Sequence, residues 1–250
     1  MDTNLLVLTL SFFLIAMVYS SVGFGGGSSY LALLSQPVFI LMPDQIRPAA
    51  LFCNIVVVAG GSIIFYRAGK IVWKEVWPFL LISVPFSFLG GYMKLEDQTF
   101  YIILAVTLII SSFFLWIQPD QSHRGDHYNK TPVNMAIGAA IGFISGLVSI
   151  GGGIFLSPFL HFIKWSDAKK ISALASLFIL VNSVSGLAGQ FGAGTPAITP
   201  AFIVPLLLAV FLGGQIGSRI GARAFNPLHI KRTTAVLILA AGLNILIDHS

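Results

Sequence analysis

The sequence has very few charged residues. Asp, Glu, Lys and Arg make up 9% of its 250 residues, whereas hydrophobic residues make up 56%. A soluble domain carries about 25% charged residues, so the shortage excludes a large soluble domain and indicates a polytopic membrane protein. The first four residues (MDTN) include no basic residue. We therefore interpret the first apolar run as a retained helix and not as a cleaved signal peptide.

Cysteine is almost absent as well. The chain has one cysteine, Cys53, which excludes an intrachain disulfide and a CxxC metal site. We predict neither a bound metal nor a cofactor. The apolar runs also contain no residue pair that resembles a catalytic dyad, so we predict that the protein is not an enzyme.

Acidic residues are missing from the interior of the apolar runs. All nine fall in loops or at predicted helix ends: Asp2, Asp44, Glu75, Glu96, Asp97, Asp120, Asp126, Asp167 and Asp248. Carriers of protons and sodium commonly keep a carboxylate inside the membrane, so the sequence disfavours a cation transporter. An anion exporter needs no cation coupling, because an inside-negative potential drives anions outward by about 2.3 kcal/mol per charge per 100 mV.

The apolar runs predict about ten helical segments in an all-α membrane protein. They lie at about 5–22, 27–42, 48–66, 76–93, 99–118, 133–149, 153–163, 171–190, 199–218 and 229–247. Most approach the roughly 20 residues that span a bilayer. The second and seventh are shorter, and each directly follows three glycines; whether they span or are re-entrant stays open.

A polar stretch divides the chain into halves. We predict an N-terminal transmembrane repeat at 1–118, a polar cytoplasmic linker at 119–131 and a C-terminal transmembrane repeat at 132–250. With ten crossings, twelve of the fourteen Lys and Arg residues fall on one side, and only Arg47 and Lys94 fall on the other. The positive-inside rule then predicts a multi-pass protein of the plasma (inner) membrane with both termini outside the cytoplasm. The same rule accounts for the isoelectric point of about 9.5.

The halves carry corresponding motifs. Gly25–Gly27 and Gly151–Gly153 are 126 residues apart, and Phe88–Gly91 and Phe211–Gly214 are 123 residues apart. Five crossings per half is an odd number, so the halves must have opposite orientations in the membrane. The sequence therefore predicts two inverted-topology five-helix repeats, an architecture common among secondary transporters.

Three glycines before a helix leave unbonded backbone N–H groups at its N-terminus, which attracts anions. Inversion predicts that the two glycine clusters meet near the membrane midplane and form one anion site. Close packing between helices is the alternative use of these glycines.

Hydroxyl and amide side chains around the clusters are further candidates. The predicted substrate-binding residues are Ser21, Gly25, Gly26, Gly27, Ser28, Ser29, Asn54, Gly151, Gly152, Gly153, Ser176 and Asn182. For a serine, the alternative is a hydrogen bond to a carbonyl of its own helix. For the two asparagines, the alternative is a contact that holds helices together. Gln190 and Gln215 lie near predicted helix ends, where we expect interfacial solvation.

Arg47 and Lys170 occupy matching positions in the two halves. Inversion places them on opposite faces of the membrane, where each is a candidate basic residue at one mouth of the pathway. The alternative is that each is a helix-end cation that snorkels toward the interface.

The stretch 142–160 (GFISGLVSIGGGIFLSPFL) closely resembles the signature of the TauE/SafE sulfite exporter family, G-x-x-x-G-x-x-G/S-x-G-G-G-x-x-x-x-P-x-L, and the resemblance extends over the whole chain. It implies a plasma-membrane transporter of small anions, typically sulfite or organosulfonates. The first copy departs from this pattern, because SSYLA at 28–32 replaces IFLSP at 154–158. The first copy thereby loses the proline and gains hydroxyls, so we expect an asymmetric site with recognition centred on Gly25–Ser29.

Together these features predict a secondary transporter that exports small sulfur oxyanions, sulfite or an organosulfonate, by alternating access. A passive small-anion channel and a transporter of another small carboxylate or anion stay open as alternatives. The expected partners are a small anionic substrate and the lipid bilayer, and we expect no nucleic acid. A homo-oligomer stays open.

Overall fold

The computed structural model describes residues 3–21, 23–117, 131–194, 197–221 and 227–249. Within these residues the chain forms ten α-helices and no strand. The helices are α1 (Thr3–Ser21), α2 (Gly27–Leu34), α3 (Pro43–Arg67), α4 (Trp73–Tyr92), α5 (Asp97–Ile117), α6 (Thr131–Val148), α7 (Gly153–Phe162), α8 (Ala168–Ala193), α9 (Pro200–Gly221) and α10 (Pro227–His249). The all-α fold class is confirmed, whereas the predicted linker at 119–131 lies, except for Thr131, outside the described residues.

Helix length separates two kinds of element. Among the described residues, six helices are long and apolar enough to cross a membrane, namely α1, α3, α5, α6, α8 and α9. In contrast, α2 has 8 residues and α7 has 10, so they extend over about 12 and 15 Å. Neither helix alone crosses a hydrocarbon core of about 30 Å.

The second predicted segment, 27–42, is too long. Helix α2 ends at Leu34, and a separate 3₁₀ turn occupies Pro37–Phe39. Proline has no N–H to donate and disfavours helical geometry in the residue before it, so the helix ends ahead of Pro37. The chain therefore returns across the membrane region partly as a short helix and partly as extended or turn backbone.

The outer surface of the helices is apolar. Large side chains such as Leu81, Phe113 and Leu208 are exposed on α4, α5 and α9. A continuous surface of this kind suits lipid and not water. This apolar surface, together with the six helices that are long and apolar enough to span, makes the chain a multi-pass membrane protein.

Helices α3 and α8 pack against each other in opposite directions. Leu51 in the first half of α3 lies near Gly186 in the second half of α8, and Gly61 lies near Ser176. Residue numbers thus rise along one helix as they fall along the other. This antiparallel pair brings the two halves of the chain together at the centre of the molecule.

Two other pairs are parallel and are packed through glycine. Along α6, Gly138, Gly142 and Gly146 lie against the backbone of Phe79, Ser83 and Ser87 of α4. Along α9, Gly213 and Gly217 lie against the backbone of Phe13 and Met17 of α1. Glycines four residues apart let helix backbones approach closely, which is their usual role between membrane helices.

The helix contacts have an internal symmetry. The main contacts between described helices are repeated when every helix is exchanged with the one five positions away: α4–α6 corresponds to α9–α1, α4–α8 to α9–α3, α2–α3 to α7–α8, and α2–α10 to α7–α5. The chain is therefore built as two similar halves of five helices.

The halves run in opposite directions. Val57 and Gly60 of α3 lie against Gly214 and Gln215 of α9, so α3, α9 and α1 are parallel. On the other side, α8 is parallel to α4 and hence to α6, because Ser185 bonds to Val84 and Gly189 packs on Phe88. Since α3 and α8 are antiparallel, α1 and its counterpart α6 are antiparallel too, which is the arrangement of an inverted-topology repeat.

Candidate functional site

The first break in the helices follows α1. Gly23 and Gly26 have φ values of 83° and 89°, a left-handed conformation that glycine adopts without steric strain. Helix α2 begins at the next residue, Gly27. The Ser176 Oγ atom of α8 donates a hydrogen bond to the carbonyl of Gly23 at 2.9 Å, which fixes this break against the opposite half.

The second break follows α6 in the same way. Gly151 and Gly152 have φ values of 86° and 80°, and Ser149 has a φ of 64° although it is not glycine. Helix α7 begins at Gly153. Both breaks therefore reverse the chain through left-handed residues and start a short helix directly afterwards.

The two breaks meet at the side chain of Asn54. This residue is fully buried, and its Nδ2 donates a hydrogen bond to the carbonyl of Ile150 at 2.9 Å. A Cβ atom on Gly25 would lie 2.5 Å from Asn54 Oδ1, and a Cβ atom on Gly27 would lie 2.5 Å from the carbonyl oxygen of Ile150. Close packing thus accounts for glycine at these positions, because any other residue would separate the breaks.

Packing leaves the backbone donors of both breaks without partners. Within the part of the chain that the structure describes, no acceptor pairs with the N–H groups of residues 25–29 and 151–154. Each helix N-terminus has an effective positive charge of about half a unit, carried by such N–H groups. The two glycine clusters therefore bring two partial positive charges together in the core.

Helices α2 and α7 leave this point in opposite directions. Helix α2 leads to the start of α3 and toward Tyr101 of α5, whose Oη bonds to the carbonyl of Leu41. Helix α7 leads to the start of α8, where Lys170 pairs with Glu75 of α4. These two places are on opposite sides, since α3 and α8 are antiparallel, so the N-termini of α2 and α7 both face the centre.

Corresponding positions on the central helix pair carry different side chains. Asn54 and Ile179 are the twelfth residues of α3 and α8. Asn54 lies against Gly25 and Gly27, whereas Ile179 lies against Gly153, where an added Cβ atom would be 2.5 Å from Ile179 Cγ1. At corresponding positions, the first break thus lies against an amide and the second against an aliphatic side chain, which makes the site asymmetric.

Two buried polar atoms at the site have no partner. Asn54 Oδ1 and Ser183 Oγ are inaccessible, and neither forms a hydrogen bond with a described residue. Ser183 Oγ lies 3.0 Å from the position of a Cβ atom on Gly151. A buried polar group without a partner costs about 1–3 kcal/mol, so such groups commonly mark a functional site.

Several predicted site residues lie elsewhere. Ser21 Oγ donates to the carbonyl of Val18 at 2.6 Å within α1, and Ser29 Oγ shares a 2.6 Å hydrogen bond with Tyr19 Oη. Ser29 also lines a groove beside α10, away from Asn54. Ser28 is buried next to Gly27.

The Asn182 side chain bonds within its own helix, and only its main chain bonds to another helix. Its Nδ2 donates to the carbonyl of Phe178 at 2.9 Å, one turn earlier in α8. Its main-chain carbonyl accepts a 2.8 Å hydrogen bond from Ser87 Oγ of α4. The residue joins α8 to α4, and the structure does not bring it to the meeting point of the breaks.

Gln190 differs from the expectation of interfacial solvation. Its side chain is buried, and its Nε2 donates to Ser149 Oγ at 2.8 Å. The bond joins α8 to the second break. This pairing is not predictable from the sequence, although Ser149 occupies a fixed position of the glycine signature.

A cavity lies on each side of the breaks. The larger, of about 290 Å³, is lined by Arg47, Lys94 and Gln190. The smaller, of about 20 Å³, is lined by Gly23, Ser176 and other polar residues, namely Ser20, Gln215 and Ser218. Along α3 the larger cavity lies beside residues 43–48 and the smaller beside residues 57–61, so the breaks at Asn54 lie between the two cavities.

The two candidate basic residues lie at opposite ends of α4. Their predicted match is wrong by two positions, because Arg47 is the fifth residue of α3 and Lys170 is the third of α8. The guanidinium of Arg47 donates to the carbonyls of Gly90, Gly91 and Met93 at 3.3–3.4 Å and lies 5.9 Å from the ring centre of Phe100. It thus binds the carbonyls at the C-terminus of α4 while it lines the larger cavity. Lys170 forms a partly exposed ion pair of 3.6 Å with Glu75. Attraction of an anion by either residue stays a prediction.

Comparisons with known proteins agree with this architecture. The model of the family "Sulfite exporter TauE/SafE" matches residues 8–245. A "probable membrane transporter protein" of Sinorhizobium fredii is 34% identical, over 98% of this chain and 100% of its own length. Another of that description, from Methanocaldococcus jannaschii, is 26% identical over 73% of this chain and 71% of its own. No solved structure matches the chain.

Proposed function

The chain belongs to the TauE/SafE sulfite exporter family, and from this premise we propose that it exports a small sulfur oxyanion, sulfite or an organosulfonate, across the plasma membrane. The family name supports the substrate class, and the relatives described as probable membrane transporters support transport over catalysis.

The proposed anion site is the point where the two glycine breaks meet. The observation that carries this proposal is the set of N–H groups at residues 25–29 and 151–154, which have no partner among the described residues. Two helix N-termini directed at one point attract negative charge, and their N–H groups supply directional hydrogen bonds. Transporters with broken helices hold anionic groups in this way near the membrane midplane.

The placement of the cavities supports alternating access as the proposed mechanism. The breaks lie between a cavity of about 290 Å³ and one of about 20 Å³, so access is wider from one side than from the other. In an inverted repeat, exchange of the conformations of the two halves exchanges the two sides. A small rotation of one half against the other would then close the Arg47 side and open the Ser176 side.

The proposed direction follows from the distribution of charge. Twelve Lys and Arg residues on one side and two on the other support an orientation with the Arg47 cavity and both termini outside the cytoplasm. The membrane potential then drives an anion from the smaller cavity toward the larger one. Arg47 and Lys94 at the exit would attract the anion as it leaves.

Flux of radiolabelled sulfite into proteoliposomes tests the proposal. We expect uptake that saturates and that becomes faster when unlabelled sulfite is present on the opposite side, because a carrier returns faster when it is loaded. Uptake that is linear with concentration and insensitive to sulfite on the opposite side would indicate a passive channel. Uptake no greater than that of empty liposomes for sulfite and for methanesulfonate would contradict the proposed substrate class.

A further inference from the structure

Building on the proposed function, we infer that the substrate of this site is an anion that carries its own hydrogen-bond donor. Hydrogensulfite, with one O–H group, and hydroxyalkanesulfonates are anions of this class. An anion without a donor, such as the sulfite dianion or an unsubstituted alkanesulfonate, fits the site less well. The inference rests on the unpartnered Oδ1 atom of Asn54.

The orientation of the Asn54 amide is determined by its surroundings. One end of the amide lies 2.9 Å from the carbonyl oxygen of Ile150, which can only accept a hydrogen bond. That end must therefore be the NH₂ group, and the other end must be the oxygen. The oxygen lies on the side of Gly25, where an added Cβ atom would be 2.5 Å away.

The site consequently offers two kinds of hydrogen-bonding group. The backbone N–H groups of the breaks can only donate, whereas Asn54 Oδ1 can only accept. The deprotonated oxygens of an anion accept hydrogen bonds from the N–H groups, but they cannot donate to Asn54 Oδ1. Such an anion leaves Oδ1 unpaired and is repelled by the partial negative charge of this oxygen. An O–H group on the same ligand donates to Oδ1, so that an anion with a hydroxyl satisfies both.

Ser183 extends this arrangement from the opposite half. Its buried hydroxyl has no partner among the described residues and lies beside Gly151. A hydroxyl can donate or accept, so Ser183 can bind either an anionic oxygen or the hydroxyl of the ligand. The place on α8 that corresponds to Asn54 is occupied by Ile179, whose aliphatic side chain cannot accept a hydrogen bond. Selection for the donor therefore depends on Asn54.

Two sulfonates of nearly equal size test the inference. Isethionate (2-hydroxyethanesulfonate) and ethanesulfonate have the same charge and differ by one hydroxyl. Binding of each to the purified full-length protein in detergent can be measured by isothermal titration calorimetry. A buried acceptor left unpaired reduces affinity by about 10- to 100-fold, so we expect isethionate to bind at least about tenfold tighter than ethanesulfonate.

Two variants assign the preference to Asn54. Asn54→Leu has a similar shape without the acceptor, and we expect its two affinities to converge within about twofold. Ser62→Ala removes another buried hydroxyl without a described partner, two turns further along α3, and we expect it to keep the unchanged protein's ratio. The comparison of the two ligands on the unchanged protein remains decisive if Asn54→Leu does not fold.

The outcomes separate this inference from the proposed function. If both sulfonates bind to the unchanged protein with equal affinity, the inference is wrong while anion binding stands; a water molecule that pairs with Oδ1 would give this result. If neither sulfonate nor sulfite binds, both the inference and the proposed function are contradicted. A preference that persists in Asn54→Leu would also overturn the role of Asn54.

Discussion

At the scale of single residues, Asn54 shows how much a buried side chain is constrained by its neighbours. Its Nδ2 is bound to the carbonyl of Ile150, and its oxygen faces Gly25. With the breaks closed on each other, as they are in this structure, there is no space for a Cβ atom around Asn54, and an anion binds there only when the breaks separate. Of the two clusters, only Gly26, Gly151 and Gly152 also require a left-handed φ. The lack of space for a Cβ atom is therefore a more general reason for glycine in the two clusters than a left-handed φ.

Replacement of Gly27 by alanine tests this contact. The added Cβ would lie 2.5 Å from the carbonyl oxygen of Ile150, so the two breaks must move apart. We expect a loss of about 1–3 kcal/mol of stability and a marked loss of sulfite uptake. Thermal unfolding in detergent and proteoliposome flux measure the two effects.

Gly61→Ala is the matched control for Gly27→Ala. Its added Cβ would meet Ser176 Oγ at 3.7 Å, an ordinary contact, and alanine favours the helix by up to about 1 kcal/mol. We expect unchanged or raised stability. Equal destabilisation by both substitutions would show that the meeting of the breaks is not the sensitive contact.

Arg47 is expected to be sensitive to a conservative change. Its guanidinium reaches three carbonyls at the end of α4, and lysine has neither the planar fork nor the reach to replace these bonds. We expect Arg47→Lys to lower stability by about 1–3 kcal/mol.

The ion pair of Lys170 with Glu75 supplies the comparison for Arg47. The pair is partly exposed, so Lys170→Gln should change stability by less than about 1 kcal/mol. Chemical and thermal unfolding of both variants check the contrast. A larger loss of stability from Lys170→Gln than from Arg47→Lys would contradict the expectation that Arg47 contributes more to stability than Lys170.

At the scale of elements, the sequence predicted helices better than it predicted their ends. Helix α7 agrees with its prediction within one residue, because a glycine cluster precedes it. Helix α8 was expected from 171 but begins at Ala168, since the Asp167 carboxylate accepts hydrogen bonds from the N–H groups of Lys169 and Lys170. Both the N-cap residue Asp167 and Pro37, ahead of which α2 ends, are visible in the sequence, but apolar composition alone marks neither helix end.

Helices α4 and α6 pack in parallel with their backbones in close contact at glycine. An added Cβ on Gly142 would lie 2.7 Å from the carbonyl oxygen of Ser83, so alanine there must push the helices apart. We expect Gly142→Ala to destabilise the protein by about 1–3 kcal/mol. A fall in the midpoint of thermal unfolding measures this loss.

Gly192 provides a control for Gly142 from another long helix. Its added Cβ would come no closer than 3.5 Å to Tyr92, so Gly192→Ala should leave stability unchanged or slightly raised. A similar fall in both variants would mean that loss of glycine, and not the closeness of α4 and α6, causes the effect.

At the scale of the whole molecule, the duplicated motifs were enough to predict ten helical segments in two inverted halves, because periodic apolar runs and charge bias are properties of the sequence alone. The pairing of Gln190 with Ser149 and the placement of Asn54 between the breaks were not predictable in the same way. Those contacts join residues 41 and 96 positions apart and depend on how α3 and α8 pack.

The orientation of the molecule can be measured by labelling. In a Cys53→Ala background, Lys94→Cys and Lys74→Cys place single thiols at exposed positions near opposite ends of α4. The charge bias predicts that a membrane-impermeant maleimide labels Lys94→Cys in intact cells and Lys74→Cys only after permeabilisation. The reverse pattern would invert the proposed direction of export.

The central claim is that the two glycine breaks hold the anion beside Asn54. Binding of radiolabelled sulfite to purified Asn54→Asp protein tests it most directly, because the added carboxylate has nearly the shape of the amide and places a resident negative charge next to the unpaired N–H groups. We expect the variant to fold, as judged by size-exclusion chromatography and circular dichroism, and to bind sulfite at least about 100-fold more weakly than the unchanged protein. Sulfite binding of unchanged affinity in folded Asn54→Asp protein would contradict it.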